Sequence, residues 1–313
     1  MSDELWRWGA TRMAGAVARR EVSARELVDA CLARAAQVNP RLNAITAPLD
    51  ERARAAADRA DAAVARGEAL APLHGVPVTI KENVDQAGCA TANGTVAYRD
   101  LIASEDSPVV RNVEAAGAIV IGRTNTPGFS FRLDTDNELR GATMSPWSPT
   151  HVPGGSSGGA AVSVAAGLAP IAHGNDIAGS IRFPAYACGV VGIRPSFGRV
   201  PAFNGTLTSE RSMSSQCLSV QGPFARTIDD LRLALHAMAV RDVRDPWWVP
   251  APLEGPPLTG PHARRVAVVT DPTALGGERL HPTVAQALTD AAMWLADAGY
   301  EVVDTPTPGF TRA

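Results

Sequence analysis

An α/β fold is what the sequence predicts, and three observations carry that prediction. Amphipathic helical stretches alternate with short β-branched apolar runs along the 313 residues. Two direct helix-to-strand steps stand out, SPVVRNVEAAG into AIVIG at 107–122 and HPTVAQALTDAAMWLADAG into YEVVDTP at 281–306. The composition, 45% hydrophobic and 19% charged, supplies one large core or two smaller ones and is too apolar for a disordered chain.

Each element has a local cause. Residues 22–38, VSARELVDACLARAAQV, read as an amphipathic helix: Ser23 and Glu26 form an S-x-x-E capping box, and Leu27, Cys31 and Leu32 recur at helical spacing. An alanine-rich helix follows at 50–66 with Arg and Asp on its wet face, so residues 1–70 make a helical part flanking the core. The stretch LHGVPVTIKENV, 73–84, is bounded by Gly75 and Pro77 and reads as a buried strand that opens into a loop at Lys81. Beyond the helix and strand of 107–122, residues 123–153 are rich in Asn, Thr, Pro and Gly without periodicity, which predicts a long loop. Next come a tightly packed helix at 160–167, a strand and its exit at 169–176, an apolar segment at 189–201 and a helix at 225–239. The proline-rich run 245–261 reads as a surface crossing; a strand at 265–272, a helix at 281–299 and a strand at 300–306 complete the pattern.

Several function classes are disfavoured at this level. A net charge of −3 with arginines scattered among acids gives no reason to expect nucleic acid. No apolar run reaches about 18 residues, so no membrane span is expected. The opening MSDELWRWGATRMAGAVARRE lacks the apolar core of a secretory signal, which makes the cytoplasm the default location. Cys31, Cys89, Cys188 and Cys217 stand far apart and the six histidines are scattered, so buried free thiols are expected and neither a disulfide framework nor a zinc site is suggested.

PGGSSGGAAV, 153–162, packs four glycines around two serines. A phosphate-binding loop needs a lysine directly after its last glycine, and none is present. GGSSG also satisfies the G-x-S-x-G nucleophile elbow, but that elbow follows a central strand, and Pro149 and Pro153 stand where the strand would run. A glycine turn capped by a serine accounts for one serine only. Two adjacent serines favour a loop whose amides and hydroxyls approach a reacting group.

Of 29 basic residues only Lys81 is lysine. Arginine cannot lose its proton at accessible pH and lysine can, so the single retained lysine is a candidate base. Val76, Val78 and Ile80 supply the apolar setting that lowers an amine pKa. Ser180, in the small-residue loop HGNDIAGSIRFPA, 173–185, is then a candidate nucleophile in a Ser-Ser-Lys arrangement, with glycine-rich amides stabilising an oxyanion.

These stretches together, with AAGAIVIGRTNTPGF, GVVGIRPSFGRVP and QGPFAR, resemble the amidase signature family of serine hydrolases from about Leu27 to Val303. The resemblance implies a three-layer α/β/α sandwich around a large twisted mixed sheet, in a single domain over 1–313. By the same resemblance Lys81 is the catalytic lysine, Ser156 the proton-relaying serine in a cis peptide, and Ser180 the acylated nucleophile. Ile177, Ala178 and Gly179 form the oxyanion turn, Asp176 and Arg182 brace it, and Ser157 supports Ser156. The implied reaction is hydrolysis of a small-molecule carboxylic acid amide to acid and ammonia or amine, without metal or cofactor.

Two departures from the family pattern are visible: Asn175 replaces a threonine and Ala178 a glycine, so Ala178 is expected at negative φ. Family members usually extend beyond 300–306, so the domain is expected to be incomplete at its C-terminus, and a bare sheet edge there suggests a homodimer. The loop from Phe129 to Trp147 and the segment from Phe203 to Leu218, including Met213, are expected to form the acyl pocket. The glutaminase component of a tRNA-dependent amidotransferase remains an alternative, as do a catalytically impaired binding or interaction protein on the same fold and, weakened by the prolines, an α/β-hydrolase esterase.

Overall fold

A computed structural model describes residues 4–207, 209–253, 265–269 and 279–304. The chain divides into two compact units, 1–251 and 252–313.

The first unit is built on a six-stranded mixed sheet. Its strands are β1 (Ile45–Pro48), β2 (Pro77–Lys81), β3 (Ile119–Thr124), β4 (Ile171–Asp176), β5 (Val191–Gly192) and β6 (Val220–Ala225), in the order β1-β3-β2-β4-β6-β5. β3, β2 and β4 run parallel, while β1 and β6 pair antiparallel with β3 and β4. The helices are α1 (Ala10–Ala18), α2 (Ala24–Leu42), α3 (Asp50–Arg66), α4 (Pro108–Ala115), α5 (Gly158–Ala165), α6 (Arg182–Cys188), α7 (Met213–Leu218) and α8 (Ile228–Met238).

Side-chain alternation along β2 divides these helices between two faces. Val78 and Ile80 enter one core cluster with residues of α1, α2, α3, α4 and α8, such as Met13, Leu27, Ala57, Val110 and Ala234. Thr79 points the other way, where its Oγ1 meets Ser163 Oγ of α5 at 3.0 Å. A second cluster there joins Ala160, Val162 and Val164 of α5 to Ala185 and Cys188 of α6. The architecture is therefore a three-layer α/β/α sandwich around a mixed sheet.

The capping box of α2 forms as expected: the Ser23 hydroxyl accepts from Glu26 N–H and the Glu26 carboxylate accepts from Ser23 N–H. α3 occupies the expected 50–66 and stops at Gly67 in the left-handed region. Several elements differ from expectation. β1 lies within the N-terminal part read as purely helical, because four residues between two helices are too short to show alternation. α6 takes the last four residues of the loop expected at 173–185 and runs on to Cys188, with Asp176 rather than a residue beside the helix accepting from the amides of Ile181 and Arg182 at its start. Cys89 and Cys217 are half-buried, whereas Cys31 and Cys188 are buried; all four are free.

In the second unit β7 (Arg265–Val268) pairs parallel with β8 (Glu301–Asp304), joined through α9 (Pro282–Asp297). Residues 254–261 of the expected crossing, 270–272 of the expected strand and 305–306 of the last one lie outside the described residues.

Candidate active site

The carboxyl ends of the parallel strands β2, β3 and β4 converge, the usual position for a site in an open α/β sheet. β2 ends in Lys81, which has no exposed surface. Its Nζ lies 2.8 Å from Ser156 Oγ, 3.0 Å from Ser157 Oγ and 2.8 Å from Asn175 Oδ1. Burial pushes the ammonium well below its ordinary value of 10.5, against a weaker pull from the Asp176 carboxylate.

Both serines sit on the turn into α5, and the Gly155–Ser156 peptide bond is cis. Neither hydroxyl caps the helix. Ser157 is the N-cap residue, but its side chain lies against Lys81 and donates to the Asn175 carbonyl at 3.3 Å. Other groups hold the turn: Thr135 Oγ1 accepts from Gly158 N–H at 3.1 Å, and the Ser180 carbonyl accepts from Ser157 N–H at 3.2 Å. Glycine at 159 lets the helix touch neighbouring backbone, for a Cβ there would stand 2.5 Å from Asn125 N and 2.8 Å from the Ala44 carbonyl.

Ser180 follows β4 on a turn organised by Asp176. That carboxylate accepts from Gly179 N–H at 2.8 Å and Ile181 N–H at 3.0 Å, and pairs bidentately with Arg182 at 3.1 and 2.9 Å. Burial, the largest influence, raises its pKa, but Arg182 and three backbone amides outweigh it and hold the carboxyl at about 2. Ala178 is absent from the positive-φ residues, and Gly179 takes φ 115° instead. The expected substitution of alanine without left-handed strain is thus what the backbone allows. Of the three expected oxyanion amides, that of Gly179 is given to Asp176. Those of Ile177 and Ala178 have no partner among the described residues.

Ser156, Asn175, Ile177, Ala178 and Ser180 line one side of a cavity of about 1030 Å³. Phe129, Phe131, Leu133, Phe197, Phe203 and Trp247 bring aromatic and aliphatic surface to it. Phe129 is therefore placed as expected, whereas Trp147 and Met213 stand outside the lining. The Trp147 indole is tied to the Cys188 carbonyl at 2.8 Å, and Met213 opens α7 with 64% of its surface exposed. Sequence reasoning missed Asn83 and Gln221. Asn83 exchanges hydrogen bonds with Asn175 at 2.9 and 3.2 Å, and Gln221 lines the cavity and meets buried His173 Nε2 at 2.8 Å. The position of Asn83, two residues beyond Lys81 at a strand exit, was the one available signal for it.

A profile described as Amidase matches residues 26–313. The chain belongs to the amidase signature family. Indoleacetamide hydrolase of Bradyrhizobium diazoefficiens is 52% identical over 304 residues, covering 97% of this chain and 57% of that protein. A glutamyl-tRNA(Gln) amidotransferase component from Synechococcus sp. strain WH7803 is 38% identical, covering 94% of this chain and 59% of the relative. The solved structure of 6-aminohexanoate cyclic dimer hydrolase with substrate superimposes with a TM-score of 0.84 at 33% identity, over 97% of this chain and 61% of that one. This amidase signature chain thus spans about three fifths of the length of these relatives. Among the described residues no helix is long and apolar enough to cross a membrane, and no cluster of three or more His, Cys, Asp or Glu is placed to hold a metal.

Proposed function

We propose that the chain carries the catalytic centre of an amidase whose substrates are primary amides of apolar, arylalkyl acids. One observation carries the reading: the only lysine of the chain is fully buried and meets two serine hydroxyls, beside a cavity that a third serine lines. Ser180 Oγ attacks the amide carbonyl carbon as its proton passes to Ser156 Oγ, and the Ser156 proton passes to the Lys81 amine. The negative oxygen forms beside the amides of Ile177 and Ala178, on the turn that Gly179, Asp176 and Arg182 brace. Return of the proton through Ser156 to the leaving nitrogen breaks the C–N bond and releases ammonia. Water then cleaves the Ser180 ester and frees the acid.

Two features support the substrate class: the aromatic lining of the cavity, and 52% identity to a protein named for indoleacetamide against 38% to an amidotransferase component. The family match across 26–313 supports reading both compact units as parts of one amidase domain. The test is intact mass after a serine-directed fluorophosphonate, with Ser180→Ala and Lys81→Ala alongside, followed by ammonia release from indoleacetamide, phenylacetamide and glutamine. One adduct on the unaltered chain, lost in both variants, and release from the aryl amides are expected. An unlabelled, folded chain refutes the catalytic reading, and release from glutamine alone moves the glutaminase reading ahead.

A further inference from the structure

Deepening the proposed reaction, and resting on it, we propose that the Asn83–Asn175 carboxamide pair is a positioning device that decides which side of the Lys81 amine meets Ser156. A neutral amine has two N–H bonds and one lone pair, yet Lys81 Nζ has three close partners. Asn175 Oδ1, at 2.8 Å, only accepts, so it takes one N–H. The Ser157 hydroxyl directs its own proton to the Asn175 carbonyl at 3.3 Å and so accepts the second N–H at 3.0 Å. What remains for the Ser156 hydroxyl, at 2.8 Å, is the lone pair, the orientation in which Ser156 gives up its proton.

This arrangement holds only while Asn175 presents oxygen and not nitrogen to the amine. Asn83 enforces that choice. Asn175 Nδ2 donates to Asn83 Oδ1 at 2.9 Å, and Asn83 Nδ2 donates to Asn175 Oδ1 at 3.2 Å and to Ser130 Oγ at 2.8 Å. Ser130 in turn donates to Asn93 Oδ1 at 2.7 Å, which fixes its oxygen as the acceptor for Asn83. An Asn175 flip would set its NH₂ against the amine, claim the lone pair and leave Ser156 without a base.

The charged and titratable groups around Lys81 are Asp176 at the end of β4, held by Arg182 and Arg194; Arg123 of β3; and His173 of β4. None of them touches the Asn83–Asn175 pair in the hydrogen bonds described. The pair's effect is therefore separable from theirs.

A double-variant cycle tests the device. Asn83→Ala, Asn175→Asp and the combined protein are compared by fluorophosphonate labelling rate across pH. In parallel each full chain carries [ε-¹³C]lysine, whose single resonance reports the charge of Lys81 whether or not the protein turns over. Asn83→Ala is expected to slow labelling by about tenfold when residue 175 is Asn, at every pH. With Asp at 175 both oxygens accept, no flip is possible, and on the high-pH plateau the same Asn83→Ala change costs less than about twofold. The Asn175→Asp carboxylate raises the Lys81 titration midpoint by about one pH unit or more. Equal loss in both backgrounds shows a merely structural role and overturns the inference, as does an unshifted lysine midpoint. Failure of the unaltered chain to label at Ser180 overturns the amidase reading instead, and the lysine midpoint still decides the contact.

Discussion

Lys81 is where charge, burial and hydrogen bonding meet, and the first prediction belongs to it. Lys81→Arg keeps the positive charge and much of the length but provides no neutral nitrogen, so turnover should fall by about 10³-fold or more while the far-ultraviolet dichroism stays native. Intact-mass labelling checks the loss; retained turnover refutes the role. Because burial depresses its pKa, the neutral amine persists below the ordinary 10.5, and under the proposed mechanism kcat/KM should rise with pH through a limb placed well under that value. A rate that climbs only near 10.5 contradicts this. At this scale a lone lysine and two glycine-serine loops made Lys81, Ser156 and Ser180 visible as candidates, while Asp176 came only through the family resemblance. Asn83 offered only its place at a strand exit and Gln221 no signal, because their meaning comes from partners 92 and 48 positions away along the chain.

The turn into α5 places both serines, and its tolerance for change is small. Gly159→Ala sets a methyl group against the backbone of Asn125 and Ala44, atoms that cannot rotate aside. Urea unfolding should show a loss of about 2 kcal/mol, with serine labelling lost as the turn shifts. An unchanged midpoint would show that α5 slides without cost. Helices with long apolar periodicity, α2, α3, α8 and α9, were legible to within a few residues. β1, β5 and α6 were not, because two to seven residues hold too little periodicity to compete with their surroundings, and α6 even carries Pro184.

Across the whole sheet, the buried face holds a histidine whose protonation the fold resists. Burial, offset in part by Gln221, drives His173 down to about 3 from its ordinary 6.5. Between those values the unfolded chain binds the proton and the folded chain does not. Stability contributed by this group is therefore complete above about 6.5 and declines as pH falls toward about 3, at about 1.4 kcal/mol per pH unit. Unfolding free energies from urea titrations at pH 7 and 5 should differ through this residue by about 2 kcal/mol, and His173→Gln should remove that part of the difference. No narrowing in the variant would show that another group carries the acid sensitivity. Sheet order was beyond the sequence, since pairing β2 with both β3 and β4 depends on contacts that no local pattern encodes. The solitary buried lysine has a further consequence for the molecule in solution. Reagents that acylate amines find no lysine on the folded surface, so the growth of an adduct on the Lys81 amine times the opening of the sheet itself. Cyanate in aged urea would write the same record permanently, as a carbamyl group on the Lys81 amine.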